Sequence, residues 1–320
     1  MAVNTTWIDP SSGGSLDLTT GDVVTESWVD GVVSDILSLG GSKGLLPVCQ
    51  GRLTLTSGTP VTTADVIGAT SIYFTPYMGD RIALFDGTLW KTLTFTERTL
   101  SLGTLTSGLP YDVFAYDSSG TVTLESLAWT NNTTRATALT LQNGIFVKTG
   151  ATTRRYLGTF YTTSTTTTED STSKRFLWNY YNRFARALSC KDTTNSWTYT
   201  TSTYRSANND TTDGVGRFSC VVGVVEDTGY FFNQALANSS VSTQVASGIG
   251  INSTSVNSAI AFGHNPTSIM MVISQCSSFL SAGFNYIQRL EYSQAAGTTT
   301  WYGDDGGTNV IAGMTGEIKA

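Results

Sequence analysis

Apolar and hydroxylated residues alternate along many short stretches of this chain. Arg52-Leu-Thr-Leu-Thr-Ser57 and Thr121-Val-Thr-Leu-Glu125 are two examples. Neighbouring side chains of a β-strand point to opposite faces of the sheet, so these stretches predict strands with one apolar and one polar face. The many threonines agree with this prediction, because β-branched residues suit a pleated sheet better than a helix.

Turn signals separate the predicted strands. Asp86-Gly87 lies between two apolar stretches and predicts a hairpin with a type I′ turn, and Asp117-Ser-Ser-Gly120 predicts a second hairpin. The apolar stretches Phe218-Ser-Cys-Val-Val-Gly-Val-Val225 and Ser268-Ile-Met-Met-Val-Ile273 are typical of central strands. Short strands with such turns indicate an antiparallel sandwich or barrel.

One segment near the N-terminus has a helical pattern instead. Thr25 is its predicted N-cap, and Gly40-Gly41 is its predicted stop. The apolar face could be covered by the protein's own core, by a partner or by a second copy, and the pattern leaves these alternatives open. The apolar residues of this segment recur every three or four positions, as on one face of an amphipathic helix. They are Val24, Trp28, Val32, Ile36 and Leu39.

The sequence therefore predicts a mainly β protein with three parts. Residues 1–48 form an N-terminal arm, which includes Trp7, and a short helix. Residues 49–168 form a β sandwich or barrel, and residues 169–320 form a jelly-roll-like β domain. The polar threonine run at 162–168 is interpreted as the exposed connection between the two antiparallel β domains.

Charge and composition exclude several classes of function. Only 13% of the residues are charged, and the formal net charge is −6. Nucleic-acid binding requires concentrated Lys and Arg, so we expect no nucleic-acid partner. The basic aromatic stretch Lys174-Arg-Phe-Leu-Trp-Asn-Tyr-Tyr-Asn-Arg183 could be an RNA platform, but we favour a buried strand. No apolar stretch approaches the length of a transmembrane helix, and from Met1–Trp7 we expect no export signal.

The candidates for catalysis are few. His264 is the one histidine and lies in a turn-like segment, without a partner that the sequence identifies. The acidic doublets Glu169-Asp170, Glu226-Asp227 and Asp304-Asp305 place adjacent side chains on opposite faces of a strand, unlike the carboxylates of a glycosidase. We therefore predict no catalytic residue, metal site or cofactor.

The four cysteines fit no zinc or redox spacing: Cys49, Cys190, Cys220 and Cys276. We expect small buried side chains, and a Cys190–Cys220 bridge stays open. Aromatic residues at loop tips, such as Tyr77, Trp129 and Tyr230, could stack on sugars, although burial is the expectation for each.

Several short motifs resemble modules of tailed-bacteriophage virion proteins, such as tail fibres, head fibres and spikes. They include Thr75-Pro-Tyr-Met-Gly79, Arg154-Arg-Tyr-Leu-Gly158, Ser196-Trp-Thr-Tyr199 and Trp301-Tyr-Gly-Asp304. Trp7-Ile-Asp-Pro10 and Thr25-Glu-Ser-Trp28 also resemble the start of such proteins, where a short segment anchors to the particle. The resemblance covers most of the chain from Arg52 to Ala320. It implies virion localisation and a homotrimer, and it transfers no catalytic residue.

The predicted function is a non-enzymatic structural component of a phage particle, displayed as a fibre, spike or decoration protein. Its expected partners are further copies of itself, portal, tail or capsid proteins, and a host surface glycan. The residues expected to anchor it or contact other copies are Trp7, Val24, Trp28, Val32, Ile36 and Leu39. Three alternatives remain: a glycan-degrading tailspike, a carbohydrate-binding module and a capsid shell protein.

Overall fold

A computed structural model describes Thr6–Ile8, Ser15–Asp17 and residues 48–320. The chain divides into two compact units, Met1–Leu46 and Pro47–Ala320. In the first unit, β1 (Thr6–Ile8) pairs antiparallel with β2 (Ser15–Asp17), and the backbone of Trp7 lies opposite Leu16. The predicted helix lies outside the described residues, together with its apolar face of Val24, Trp28, Val32, Ile36 and Leu39.

The second unit consists almost wholly of strands. Its first half contains β3 (Gly51–Thr54), β4 (Val66–Ala69), β5 (Ser71–Pro76), β6 (Arg81–Phe85), β7 (Trp90–Thr94), β8 (Arg98–Ser101), β9 (Pro110–Ser118), β10 (Thr121–Ala128), β11 (Leu139–Gln142), β12 (Ile145–Lys148), β13 (Ala151–Tyr161) and β14 (Thr168–Asp170).

Its second half contains β15 (Lys174–Arg175), β16 (Leu177–Asn179), β17 (Ala185–Asp192), β18 (Ser196–Thr198), β19 (Arg205–Ser206), β20 (Arg217–Val222), β21 (Thr228–Ser239), β22 (Val245–Ile251), β23 (Ile260–Phe262), β24 (Met270–Phe279), β25 (Gly283–Ser293), β26 (Thr299–Tyr302) and β27 (Ala312–Lys319). The 3-10 turn Ala207–Asn209 lies between β19 and β20. None of the helices among the described residues is long and apolar enough to cross a bilayer.

The strands form several sheets, which confirms the mainly β prediction. One sheet has the order β10-β9-β13-β12-β11, with β16 also on β13, and two small sheets contain β3-β5-β8 and β6-β7. A second large sheet runs β19-β25-β20-β15-β14-β4, with β22 on β25. The third large sheet runs β17-β27-β21-β24-β23, and β26 joins β18 to β21. Paired strands in the described part are antiparallel, apart from β15 with β20.

Both predicted hairpins are present. β9 and β10 are joined through Ser119 and Gly120, which both have positive φ as a type I′ turn requires. β6 and β7 pair from Phe85 to Trp90, so their connection is longer than the predicted two-residue turn. The Asp86 side chain stabilises that connection by accepting hydrogen bonds from the amides of Thr88 and Leu89.

Residues on both sides of position 168 share sheets and a core. β14 pairs with β4, and β16 pairs with β13. Phe114 and Tyr156 pack in the same buried cluster as Phe218. The predicted boundary at 168 therefore does not separate two compact units.

The interpretation of residues 162–168 as an exposed connection needs correction at its two ends only, because Thr163, Thr165 and Thr166 are exposed. Thr162 and Thr168 are fully buried and bridge to each other, while the residues between them form a turn closed by the amide of Thr163 on Thr167. The hydroxyl of Thr162 donates to the carbonyls of Thr106 and Leu109. A threonine can satisfy its hydroxyl inside a sheet, which allows the two end residues of this polar run to be buried.

Candidate functional site

The sheet that contains β21, β24 and β23 has one buried and one exposed face. Burial alternates along β21: Phe231, Ala235 and Ala237 are buried, whereas Tyr230 and Gln234 are exposed. This is the period-two pattern of a strand that packs on a core with one face only. The side chains that point away from the core form the exposed surface of this sheet.

This surface, called the outer face below, is rich in large apolar side chains. Phe262 and Met271 are both 53% exposed, and Phe279 is 60% exposed. A soluble monomer rarely exposes a contiguous apolar patch larger than a few hundred Å². The apolar and aromatic members of the outer face are Tyr230, Phe232, Leu236, Ile260, Phe262, Met271, Ile273 and Phe279.

The strand register places these side chains next to one another. Phe262 on β23 lies opposite Ile273 on β24, and Ile273 lies opposite Gln234 on β21. Leu236 lies opposite Met271 in the same register. Directly opposed residues of antiparallel strands have their Cβ atoms about 4.5–5.5 Å apart, so these apolar residues lie beside one another, together with the uncharged polar side chains of Gln234, Gln275 and Ser277 on the same face.

Three concave sites lie along the outer face. The largest, of about 460 Å³, is lined by Phe232, Gln234 and Ile311 among others. A second, of about 180 Å³, lies beside Leu236, Met271 and Ile311. The third, of about 250 Å³, lies between Tyr230 and Ile260. The surface therefore combines exposed apolar side chains with depressions that could receive them.

Charged residues are confined to the border of the outer face. β21, β24 and β23 contain no Asp, Glu, Lys or Arg. The neighbouring strands β27 and β17 present Glu317, Lys319 and Lys191 at exposed positions. An apolar centre with a polar border is the usual composition of a protein–protein interface.

The acidic doublets lie in other parts of the molecule and pair mainly with cations. Glu169 pairs with Lys174, whereas Asp170 pairs with Arg175 and Arg186. Glu226 and Asp227 both pair with Arg183. Asp304 and Asp305 lie in a turn, where Asp304 accepts the amide hydrogen of Gly306. The first two doublets are thus parts of ion-pair networks.

Two further buried carboxylates belong to networks of the same type. Asp112 accepts hydrogen bonds from Nε of Arg135 at 2.7 Å and from the hydroxyl of Thr159 at 2.7 Å. Burial raises the pKa of Asp112, although Arg135 opposes that effect. Glu291 binds Nε of Arg205 and the indole of Trp197, and burial also raises its pKa.

The remaining sequence candidates occupy varied positions. His264 is exposed, and its backbone pairs with Val245. All four cysteines are buried and free, and burial raises the pKa of Cys220 to about 12, which disfavours its thiolate.

The aromatic candidates for sugar stacking differ in exposure. Trp129 is buried beneath the guanidinium of Arg135, whereas Tyr230 is half-exposed on the outer face. Within the described part of the chain, no group of three or more His, Cys, Asp and Glu could hold a metal ion.

The outer face was not recognised in the sequence. Ser268-Ile-Met-Met-Val-Ile273 was interpreted as a central strand, and β24 is indeed flanked by two strands, yet one of its faces is exposed. A signal was available in β21, where Tyr230, Phe232 and Leu236 make the second face apolar as well. From sequence alone, such a strand cannot be distinguished from one that is buried on both faces.

No protein-family model and no curated protein matches the chain. Among solved structures, the insecticidal delta-endotoxin Cry8Ea1 from Bacillus thuringiensis is 7% identical with a TM-score of 0.25, covering 85% of this chain and 52% of that chain. BuGH86 in complex with neoagarooctaose is 11% identical with a TM-score of 0.24, covering 78% and 33%. The infectious bursal disease virus Gx strain structure is 11% identical with a TM-score of 0.26, covering 87% and 73%. The chain thus spans about half of the Cry8Ea1 chain and about a third of the BuGH86 chain. Similarity this low assigns no function.

Proposed function

We propose that this chain is a non-enzymatic structural component of a tailed-phage particle, displayed on the virion as a fibre, spike or decoration protein. The single observation that carries the proposal is the outer face, a largely apolar surface on the uncharged strands β21, β24 and β23, with charged residues on the neighbouring strands β27 and β17. A virion component is built by contacts with other proteins, and such a surface is suited to them.

Two further observations support the proposal. The motif resemblance described above is to virion proteins and covers most of the chain. In addition, the buried carboxylates Asp112, Asp170 and Glu291 each pair with arginine and so contribute to the folded structure. A general acid or base needs a carboxyl group that is available to a substrate, which these pairings disfavour.

The proposal includes an architecture and partners. The second unit is of β-sandwich or jelly-roll type, with the β21–β24 sheet and the β25–β20 sheet contributing to one core. The protein assembles as a homotrimer and is attached through residues 1–48 to a portal, tail or capsid protein. The C-terminal part of the chain contacts a host glycan.

Immunogold electron microscopy tests whether the protein is displayed. Antibodies raised against the purified protein should label intact particles of the phage that encodes it. An unrelated antibody of the same class is the control. Intact particles without specific label would contradict display on the virion.

A further inference from the structure

We infer that the outer face is the surface through which copies of this chain contact one another. The inference deepens the proposed function and rests on it, because it names the surface used for self-assembly. It differs from the sequence-based expectation, which placed the contact between copies in residues 1–48.

The exposed apolar area of the outer face is large enough for a stable contact. Tyr230, Ile260, Phe262, Met271 and Phe279 are each between 51% and 66% exposed. A large side chain of this kind has about 150–250 Å² to bury, so these five leave on the order of 500 Å² uncovered. Neighbouring residues such as Ile273 bring the patch towards the ~800 Å² per partner of a standard interface.

Charge favours a second copy as the occupant of this face. Each chain has a formal net charge of −6, so two copies repel wherever their acidic surfaces approach. β21, β24 and β23 carry no charge, and their contact therefore avoids like charges. At the border, Lys319 pairs with Asp227 of its own chain, with 3.3 Å between Nζ and Oδ1, so its charge is already matched there.

The outer face also has a shape that suits contact with other copies. The depressions beside Phe232 and Met271 could receive side chains from the outer face of a neighbouring copy. The geometry thus points to copies that meet with this face at their symmetry axis.

The test compares the masses of full-length variants in solution. Light scattering after gel filtration should give the wild type a mass of three times 34.2 kDa, as the proposed homotrimer requires. The double variant Phe262→Asp, Met271→Asp should self-associate about a hundredfold more weakly and elute as a monomer, because its carboxylates would be desolvated without a partner.

Leu141→Asp is the matched control. Leu141 is 58% exposed, similar to Phe262 and Met271, but it lies on β11 of a different sheet. This variant should keep the wild-type mass. Thermal melting checks the fold of every variant, and if the double variant is unfolded, Phe262→Asp alone on the edge strand β23 replaces it.

Two outcomes overturn the inference. A folded outer-face variant that keeps the wild-type mass shows that copies meet elsewhere. A monomeric wild type shows that this face does not join copies, and binding of a purified host-capsule oligosaccharide would then assign it to a glycan. Failure of the proposed function has a different readout: the protein would be absent from purified particles, whatever its mass in solution.

Discussion

At the scale of single residues, buried charges are paired across long sequence distances. Arg135 is an example, because its guanidinium binds Asp112 and also donates to the carbonyl of Gly223 at 2.7 Å. Its planar group stacks on Trp129 as well. One arginine thus connects three separate segments of the second unit.

Replacing Arg135 by methionine should lower the free energy of unfolding by about 3–5 kcal/mol, because Asp112 would remain buried without its cation. Urea unfolding measures the change. Burial already raises the pKa of Asp112, and loss of Arg135 should raise it further. A raised carboxyl pKa favours folding at low pH and loses its contribution as pH rises through the folded-state pKa, so the deficit should be larger at neutral than at acidic pH.

Lys148→Met is the control for this prediction. Lys148 pairs with Glu125 at 3.5 Å, and both side chains are partly exposed. Its loss should cost less than about 1 kcal/mol. Equal effects of the two substitutions would contradict the structural role assigned to Arg135.

Glu97 provides a pH-dependent prediction. Burial opposes its charge, but hydrogen bonds from the hydroxyl of Ser57, the hydroxyl of Thr75 and the amide of Gly58 outweigh burial and lower its pKa. Glu97→Gln should lower the free energy of unfolding by about 1–2 kcal/mol at pH 7, since an amide cannot accept all three bonds.

The stability difference between wild type and Glu97→Gln should shrink in acid. A lowered carboxyl pKa stabilises the fold above the unfolded-state pKa and is lost as pH falls through the folded-state pKa. Urea unfolding between neutral pH and pH values below the ordinary glutamate range of about 4.3 checks this. A difference that does not change with pH would count against the three hydrogen bonds.

At the scale of elements, close packing of strands depends on particular glycines. Gly158 on β13 lies opposite Asn179 on β16, and a Cβ added at Gly158 would lie 2.2 Å from the carbonyl oxygen of Trp178. Gly158→Ala should therefore lower the free energy of unfolding by about 2–3 kcal/mol, as overpacking generally does. Thermal or urea unfolding measures this change.

Gly307→Ala is the matched control, because the nearest atom to its added Cβ is 3.9 Å away. This variant should unfold within about 0.5 kcal/mol of the wild type, as surface substitutions usually do. If Gly158→Ala were equally harmless, β13 and β16 could not approach each other as closely as described.

Local pattern predicted individual elements better than their surroundings. The β9–β10 hairpin follows from Asp117-Ser-Ser-Gly120 and its flanking alternation, because turn and register are set by neighbouring residues. The outer face could not be predicted in this way. Whether the second side of β24 is covered depends on strands that are distant in the sequence, and the same apolar stretch fits either case.

At the scale of the whole molecule, long-range pairing explains the main corrections. Asp170, next to the threonine run, binds Arg175 and Arg186, and Arg52 donates to the backbone carbonyl of Ala320. Burial lowers the pKa of Arg52 to about 10, with Arg186 adding to the effect. Sequence spacing carries no information on such contacts, so the sequence does not predict that Thr162 and Thr168, at the two ends of this run, are buried.

Attachment to the particle provides a prediction at this scale. The apolar pattern that includes Trp28 is proposed to anchor the protein, so Trp28→Ala should reduce its incorporation into particles. Quantitative blotting of purified particles from complemented phage measures incorporation. Thermal melting of the purified variant is the control: a lower melting temperature with normal incorporation would mean that Trp28 packs within its own chain.

The most direct test of the account is quantitative mass spectrometry of purified particles of the phage that encodes this chain. We expect the protein in every preparation, at a copy number well below that of the major shell protein, as for a displayed fibre, spike or decoration protein. Hundreds of copies, equal to the shell protein, would instead indicate a shell function. Absence from the purified particles would contradict the central claim.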